Sequence, residues 1–130
     1  MLQNSPSVYV GLDVHKESLA VAIANPERGG EIRFYGNIPN QQQSIRHFFL
    51  KLQTQYPSVM VCYEAGPCGY GIYHQLMAMS IECIVVAPSR IPKSPTDRIK
   101  SDHRDAIGLA RLLRAGELTS VWILTLHMRL

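Results

Sequence analysis

Four carboxylates fall where structural elements should begin or end: Asp13, Glu64, Asp102 and Asp105. Asp13 follows the run Val-Tyr-Val-Gly-Leu directly, and Glu64 follows Val-Met-Val-Cys-Tyr directly. Asp102 and Asp105 are spaced i, i+3 and share a face if their segment is helical. Converging acids repel strongly at low dielectric, and divalent cations would neutralise them. Hard oxygen ligands without a nearby Cys/His set suit Mg²⁺ or Mn²⁺ better than zinc. Such a cluster fits two-metal phosphoryl transfer, in which one ion activates the attacking oxygen and the other stabilises the leaving one. Each acid alone has a plainer reading. Asp13 could form a turn, Asp102 could be a favourable charge in a first helical turn, and Glu64 could be a loop acid. Their joint placement is what points to chemistry.

The elements that must position these acids can be read in order. Val8 to Leu12, Ser18 to Ala24 and Glu31 to Gly36 are short β-branched or small apolar runs. Short gaps separate them, as in an antiparallel meander. Ile45, Phe48, Phe49, Leu52 and Tyr56 form one helical stripe after Pro39-Asn40, and Pro57 stops it. Val59 to Tyr63 is apolar throughout, as in a strand buried on both faces. A second helix is expected with Ile72, Tyr73, Leu76 and Met77 on one side, then a fifth strand over Glu82 to Ala87. Pro88 to Lys100 is an irregular segment. Ser101 is placed to cap a last helix that ends near Gly116. On that helix Asp102, Asp105, Leu109, Leu112 and Leu113 fall on one stripe, which would turn two acids toward the core and require a partner for them. The order β-β-β-α-β-α-β-α predicts an α/β fold: a mixed five-stranded sheet, order 3-2-1-4-5, with helices on both faces. The first and fourth strands would then be neighbours, with Asp13 and Glu64 at one sheet edge.

The 130 residues suit one domain, and an apolar fraction of 46% allows a normal core. Thirteen basic against ten acidic residues leave a net charge of +3. That excess is too small to identify a nucleic-acid partner, so its distribution matters more. Arg90, Lys93, Arg98, Lys100 and Arg104 crowd the approach to the last helix, against Asp97 and Asp102. They would make a backbone clamp for nucleic acid, or simply a solvated loop. Lys16, three residues after Asp13, could reach a phosphate or sit exposed in a turn. Three cysteines, Cys62, Cys68 and Cys83, and no apolar leader fit a reducing cytosol. No run approaches the ~18 apolar residues that span a membrane. Cys62, Cys68 and His74 match no standard zinc spacing, and Cys62 reads as a buried small hydrophobe. Gly66, Gly69 and Gly71 lack the Gly-Lys-Ser/Thr ending of a phosphate loop. Tyr70 and Tyr73 could stack on bases, although Tyr73 fits the core better.

Three blocks carry a family resemblance: Gly-Leu-Asp13-Val-His-Lys16, Tyr-Glu64-Ala-Gly-Pro-Cys-Gly-Tyr, and Lys100-Ser-Asp102-His-Arg-Asp105-Ala. Together they resemble the signature blocks of the Asp-Glu-Asp-Asp (DEDD) insertion-sequence transposases of the IS110 type, relatives of pilin-gene-inverting recombinases. The likeness runs from about Val8 to Trp122. It implies a ribonuclease-H-like fold similar to RuvC-type junction resolvases, and an acidic tetrad of Asp13, Glu64, Asp102 and Asp105 that binds Mg²⁺. It also implies DNA partners (element ends and target), a structured guide RNA, and compatibility with a homo-oligomer. Residues 1–122 would be the ribonuclease-H-like domain. Family members continue beyond the Val-Trp pair into a helical connector and a second domain that supplies a nucleophilic serine. Here Val121-Trp122 is followed by Ile-Leu-Thr-Leu-His-Met-Arg-Leu, so residues 123–130 are expected to be an aberrant or truncated tail. Complete recombination is not expected of these residues alone. Two other functions compete with an active transposase nuclease domain. One is a nucleic-acid-binding remnant that has lost its chemistry. The other is a fragment of an actin-like or sugar-kinase-like phosphotransferase, a superfamily that also opens on a strand followed by Gly-x-Asp.

Overall fold

The computed structural model describes residues 6–27, 29–66, 70–87 and 102–118, with 102–104 described by backbone alone. Three strands come first: β1 (Val8–Val14), β2 (Ser18–Ala24) and β3 (Ile32–Pro39). They are followed by α1 (Gln42–Gln55), β4 (Val59–Glu64), α2 (Gly71–Ala78), β5 (Glu82–Val86) and α3 (Asp102–Ala115). The sheet order is β3-β2-β1-β4-β5, as expected. β1 pairs antiparallel with β2 and parallel with β4, and β5 runs parallel to β4.

Strand alternation sorts the side chains onto two faces. Val8, Val10 and Leu12 of β1, Leu19, Val21 and Ile23 of β2, and Val59, Val61 and Tyr63 of β4 pack with Ile45, Phe48, Phe49 and Leu52 of α1 and Ile72 and Leu76 of α2. On the other face, Ala20, Ala22 and Ala24 meet Ala106 and Ala110 of α3, while Cys62 and Val86 meet Leu109 and Leu113. Helices therefore cover both faces, the first with large side chains and the second with small ones.

Small residues let α3 lie very close to the sheet. A Cβ on Gly11 would collide with the backbone carbonyl of Ala106 and lie 2.6 Å from the backbone nitrogen of Ala110. Two further contacts hold the helix. The Cys62 thiol donates to the Leu109 carbonyl at 3.6 Å. The Arg114 guanidinium donates to the carbonyls of Asn25 and Gly30, at 3.1 and 3.0 Å, bridging the β2–β3 turn.

Several boundaries differ from the periodicity reading. β3 runs on to Pro39 and carries a bulge: Val21 and Ala22 of β2 pair with Gly36 and Phe34, which leaves Tyr35 as the extra residue beside Gly36 at φ +139°. Met77 is 46% exposed, since the short helix α2 buries only Ile72 and Leu76. Tyr73 packs against the core as expected. The buried stripe of α3 is Ala106, Leu109, Ala110 and Leu113, with Leu112 half-buried. The close approach over Gly11 turns the alanines inward, which rotates Asp105 out to the exposed rim. Asp105 is thus not a core-facing charge, and no polar or charged residue among those described is buried. α3 does end at Gly116, at φ +70°: Gly116 N–H donates to the Leu113 carbonyl and Glu117 N–H to that of Leu112. The expected Ser101 cap and the segment 88–100 lie outside the described residues. No helix among the described residues is long and apolar enough to cross a membrane.

Candidate active site at the C-terminal edge of the parallel strands

β1 and β4 are parallel neighbours in the register Gly11–Cys62 and Leu12–Tyr63, so their C-terminal ends finish side by side. Asp13 lies two residues beyond Gly11, and Glu64 two beyond Cys62. Both acids therefore belong to the face that α3 covers. α3 contributes Asp105 one turn before Leu109. The three carboxylates open onto a single cavity of about 130 Å³, lined also by Val14, Ala65, Gly66 and Leu109. Ala65 N–H donates to the Val86 carbonyl at 2.8 Å, which fixes the chain just after Glu64 to β5.

The acids differ in setting. The Asp13 side chain is 19% exposed and accepts a hydrogen bond from His15 Nε2 at 3.1 Å. Glu64 is half-buried and Asp105 exposed. The charge of Glu64 also reaches Cys62. Burial, and secondarily that charge, push the Cys62 thiol from its usual value of 9.0 up to about 12. Burial pushes Cys83 up as well, with Cys62 adding to it. Both thiols are buried core groups, as expected of Cys62.

Among the described residues, no three His, Cys, Asp or Glu side chains stand close enough to hold a metal ion. The cavity and that result agree on physical grounds: like-charged carboxylates around a small opening keep apart unless a cation draws them in. In kind, the donors fit a hard cation, being all carboxylate oxygens. Asp102 begins α3, three residues before Asp105 on the same helix, and its side chain lies outside the described residues. Arg104 is likewise described by backbone only, and Arg90, Lys93, Arg98 and Lys100 lie outside altogether. Lys16 is exposed in the β1–β2 turn, beside Asp13 in sequence but not among the residues lining the cavity. Two larger hollows among the described residues, of about 600 and 400 Å³, run along α1 and are lined by no carboxylate.

Sequence reasoning passed over two contributors. Gly11 was legible as the only side-chain-free position on the α3 face of β1, opposite the small pair Ala106 and Ala110. Asn40 gave no signal: it donates to the His15 carbonyl, 25 residues away in sequence, and does not line the cavity.

A mixed five-stranded sheet with acids at the ends of its central parallel pair, covered by a helix that adds a further acid, defines a ribonuclease-H-like domain of the RuvC type. Solved structures share the architecture. The Thermus thermophilus RuvC structure superimposes with a TM-score of 0.55 at 10% identity, covering 90% of this chain and 99% of that one. The T. thermophilus RuvC complex with a Holliday junction substrate gives 0.54 at 12%, with the same coverage. At such identities the likeness concerns fold alone. Sequence goes further: the profile of the IS110-type DEDD family, described as transposase, matches residues 10–128. The chain belongs to that transposase family. It is 50% identical over 115 residues to the putative transposase y4qE of Sinorhizobium fredii (strain NBRC 101917 / NGR234), covering 88% of the chain and 30% of that relative. It is 43% identical over 108 residues to the transposase for insertion sequence element IS1533 of Leptospira borgpetersenii, covering 83% and 31%. The chain thus spans somewhat less than a third of these relatives' length. Family membership replaces the phosphotransferase alternative.

Proposed function

We propose that this chain acts as the nuclease domain of a DNA transposase, with Asp13, Glu64, Asp102 and Asp105 holding Mg²⁺ or Mn²⁺ for strand cleavage and transfer. The observation that carries the reading is the shared cavity: acids from β1, β4 and α3 converge in a chain of a transposase family. When bound, the divalent ions would polarise the scissile phosphate and lower the pKa of the attacking oxygen's proton. The chain's own residues would do the rest. Asp13 and Glu64, fixed by the β1–β4 register, would supply rigid ligands. Asp105, exposed at the rim of the same cavity, would add a third carboxylate. Lys16 and the basic run Arg90, Lys93, Arg98, Lys100 and Arg104 would bind the phosphate backbone and carry no base specificity. DNA is the proposed substrate, and a structured RNA would use the same electrostatics. A self-association of the chain is compatible with this reading.

A second reading is nucleic-acid binding without cleavage, in which the fold and the basic run serve binding alone. Two measurements decide. Calorimetry with Mn²⁺ should show binding to the parent and none to the double variant Asp13→Asn/Glu64→Gln. Incubation with branched and duplex DNA and Mn²⁺ should then give nicks that the same variant does not make. Equal Mn²⁺ binding by both proteins would remove the metal site. Metal binding without nicking would favour the second reading for the isolated chain.

A further inference from the structure

We infer that His15 and Asn40 are positioning residues for Asp13, acting as a relay through the β1–β2 turn; the inference rests on the metal-site reading of Asp13. The two strands pair as far as Val14 and Leu19, and the turn between them is closed by His15 N–H donating to the Ser18 carbonyl at 2.8 Å. Asn40 grips this turn from outside at two points. Its side-chain Nδ2 donates to the His15 carbonyl at 2.7 Å, and its backbone N–H donates to the Glu17 carbonyl at 3.0 Å. A carbonyl oxygen can only accept, so the amide nitrogen of Asn40 must face it. With the His15 backbone held in this way, its ring lies where Nε2 donates to Asp13 Oδ2 at 3.1 Å. A carboxylate likewise only accepts, so Nε2 carries the proton.

The chemical consequence concerns Asp13. The imidazole fixes one oxygen, so less order has to be imposed when a cation binds. Groups that orient a ligand in this way typically carry ~10–100-fold in metal affinity. Asn40 sits between the end of β3 and the start of α1. The relay therefore ties the aim of Asp13 to the packing of α1, on the sheet face opposite α3.

The test uses the full 130-residue chain and Mn²⁺ alone, by calorimetry at one pH, with thermal midpoints to confirm that each variant is folded. His15→Ala should weaken Mn²⁺ binding about tenfold. Asn40→Ala should weaken it by a smaller factor, and the double variant should bind no worse than His15→Ala, because both changes cut one path. His15→Gln, which keeps an N–H donor at similar reach, should recover most of the affinity; a merely structural role of the turn would show no such rescue. Affinity equal to the parent in both single variants, additive losses, or failure of His15→Gln to recover would overturn the relay, provided Asp13→Asn abolishes binding. If Asp13→Asn binds Mn²⁺ as the parent does, the metal-site reading falls first and takes the relay with it.

Discussion

Cys62 shows how one residue can register both the core and the site edge. It lies on the same face of β4 as Glu64, buried under α3, and its thiol is held neutral up to about pH 12 rather than 9.0. The linkage has a definite sign. In the unfolded chain the thiol loses its proton near its usual value, while the native thiol keeps it. Its contribution to stability is therefore whole below pH 9.0 and is lost as pH rises toward about 12. Urea unfolding at increasing pH should show the parent losing stability across this window, and Cys62→Ala should lose less. Equal alkaline slopes would mean that the thiol ionises as easily in the fold as outside it. The acids were legible at this scale because alternation along two strands is enough to put Asp13 and Glu64 on one face. The His15 contact was not. It lies in a turn that Asn40 contacts from a distant part of the chain, and local spacing cannot express that.

Among the elements, α3 is decisive, since it carries both remaining acids and is seated over Gly11 by backbone contact, with Leu109 and Leu113 packing beside it. Gly11 sets that seat. Gly11→Ala places a methyl group against the backbone of Ala106 and Ala110, where no flexible side chain can yield. Overpacking of this kind should destabilise the fold by about 3 kcal/mol, the upper part of the range for inserted core atoms. Denaturant midpoints would measure it. Ala at the exposed Gly66, where an added Cβ meets nothing within 4 Å, serves as the control. A Gly11→Ala protein as stable as the parent would mean that the helix shifts at little cost. The stripe of α3 was partly misread for the same reason. A periodic reading favours large apolar residues and so assigned Leu112 to the core, whereas this interface selects for smallness and turns Ala106 and Ala110 inward. The bulge in β3 was hidden likewise, because it shifts the alternation on which strand reading depends.

For the molecule as a whole, the sheet order could be read from the sequence because connection lengths constrain it: short links make the meander, and each long helical link returns the chain to a parallel position. Those same lengths set an order of events. The β1–β2 hairpin closes over a turn of a few residues, while β1 and β4 meet only when positions 51 apart, such as Ser7 and Ser58, come together. Loop closure costs more for the second pairing, so the hairpin should form early and the parallel pair late. Ile23→Val in β2 should accordingly slow refolding, while Val85→Ala in β5 should mainly speed unfolding. Stopped-flow chevrons would read both, and the reverse pattern would refute the order. The central parallel pair thus has a consequence in time. On that order, Asp13 would stand on a formed strand before Glu64 arrives beside it. A one-residue slip in the late pairing would send Glu64 to the α1 and α2 face. Cation affinity at the proposed site would then appear only with the last, correctly registered step of folding, after most of the secondary structure is already in place.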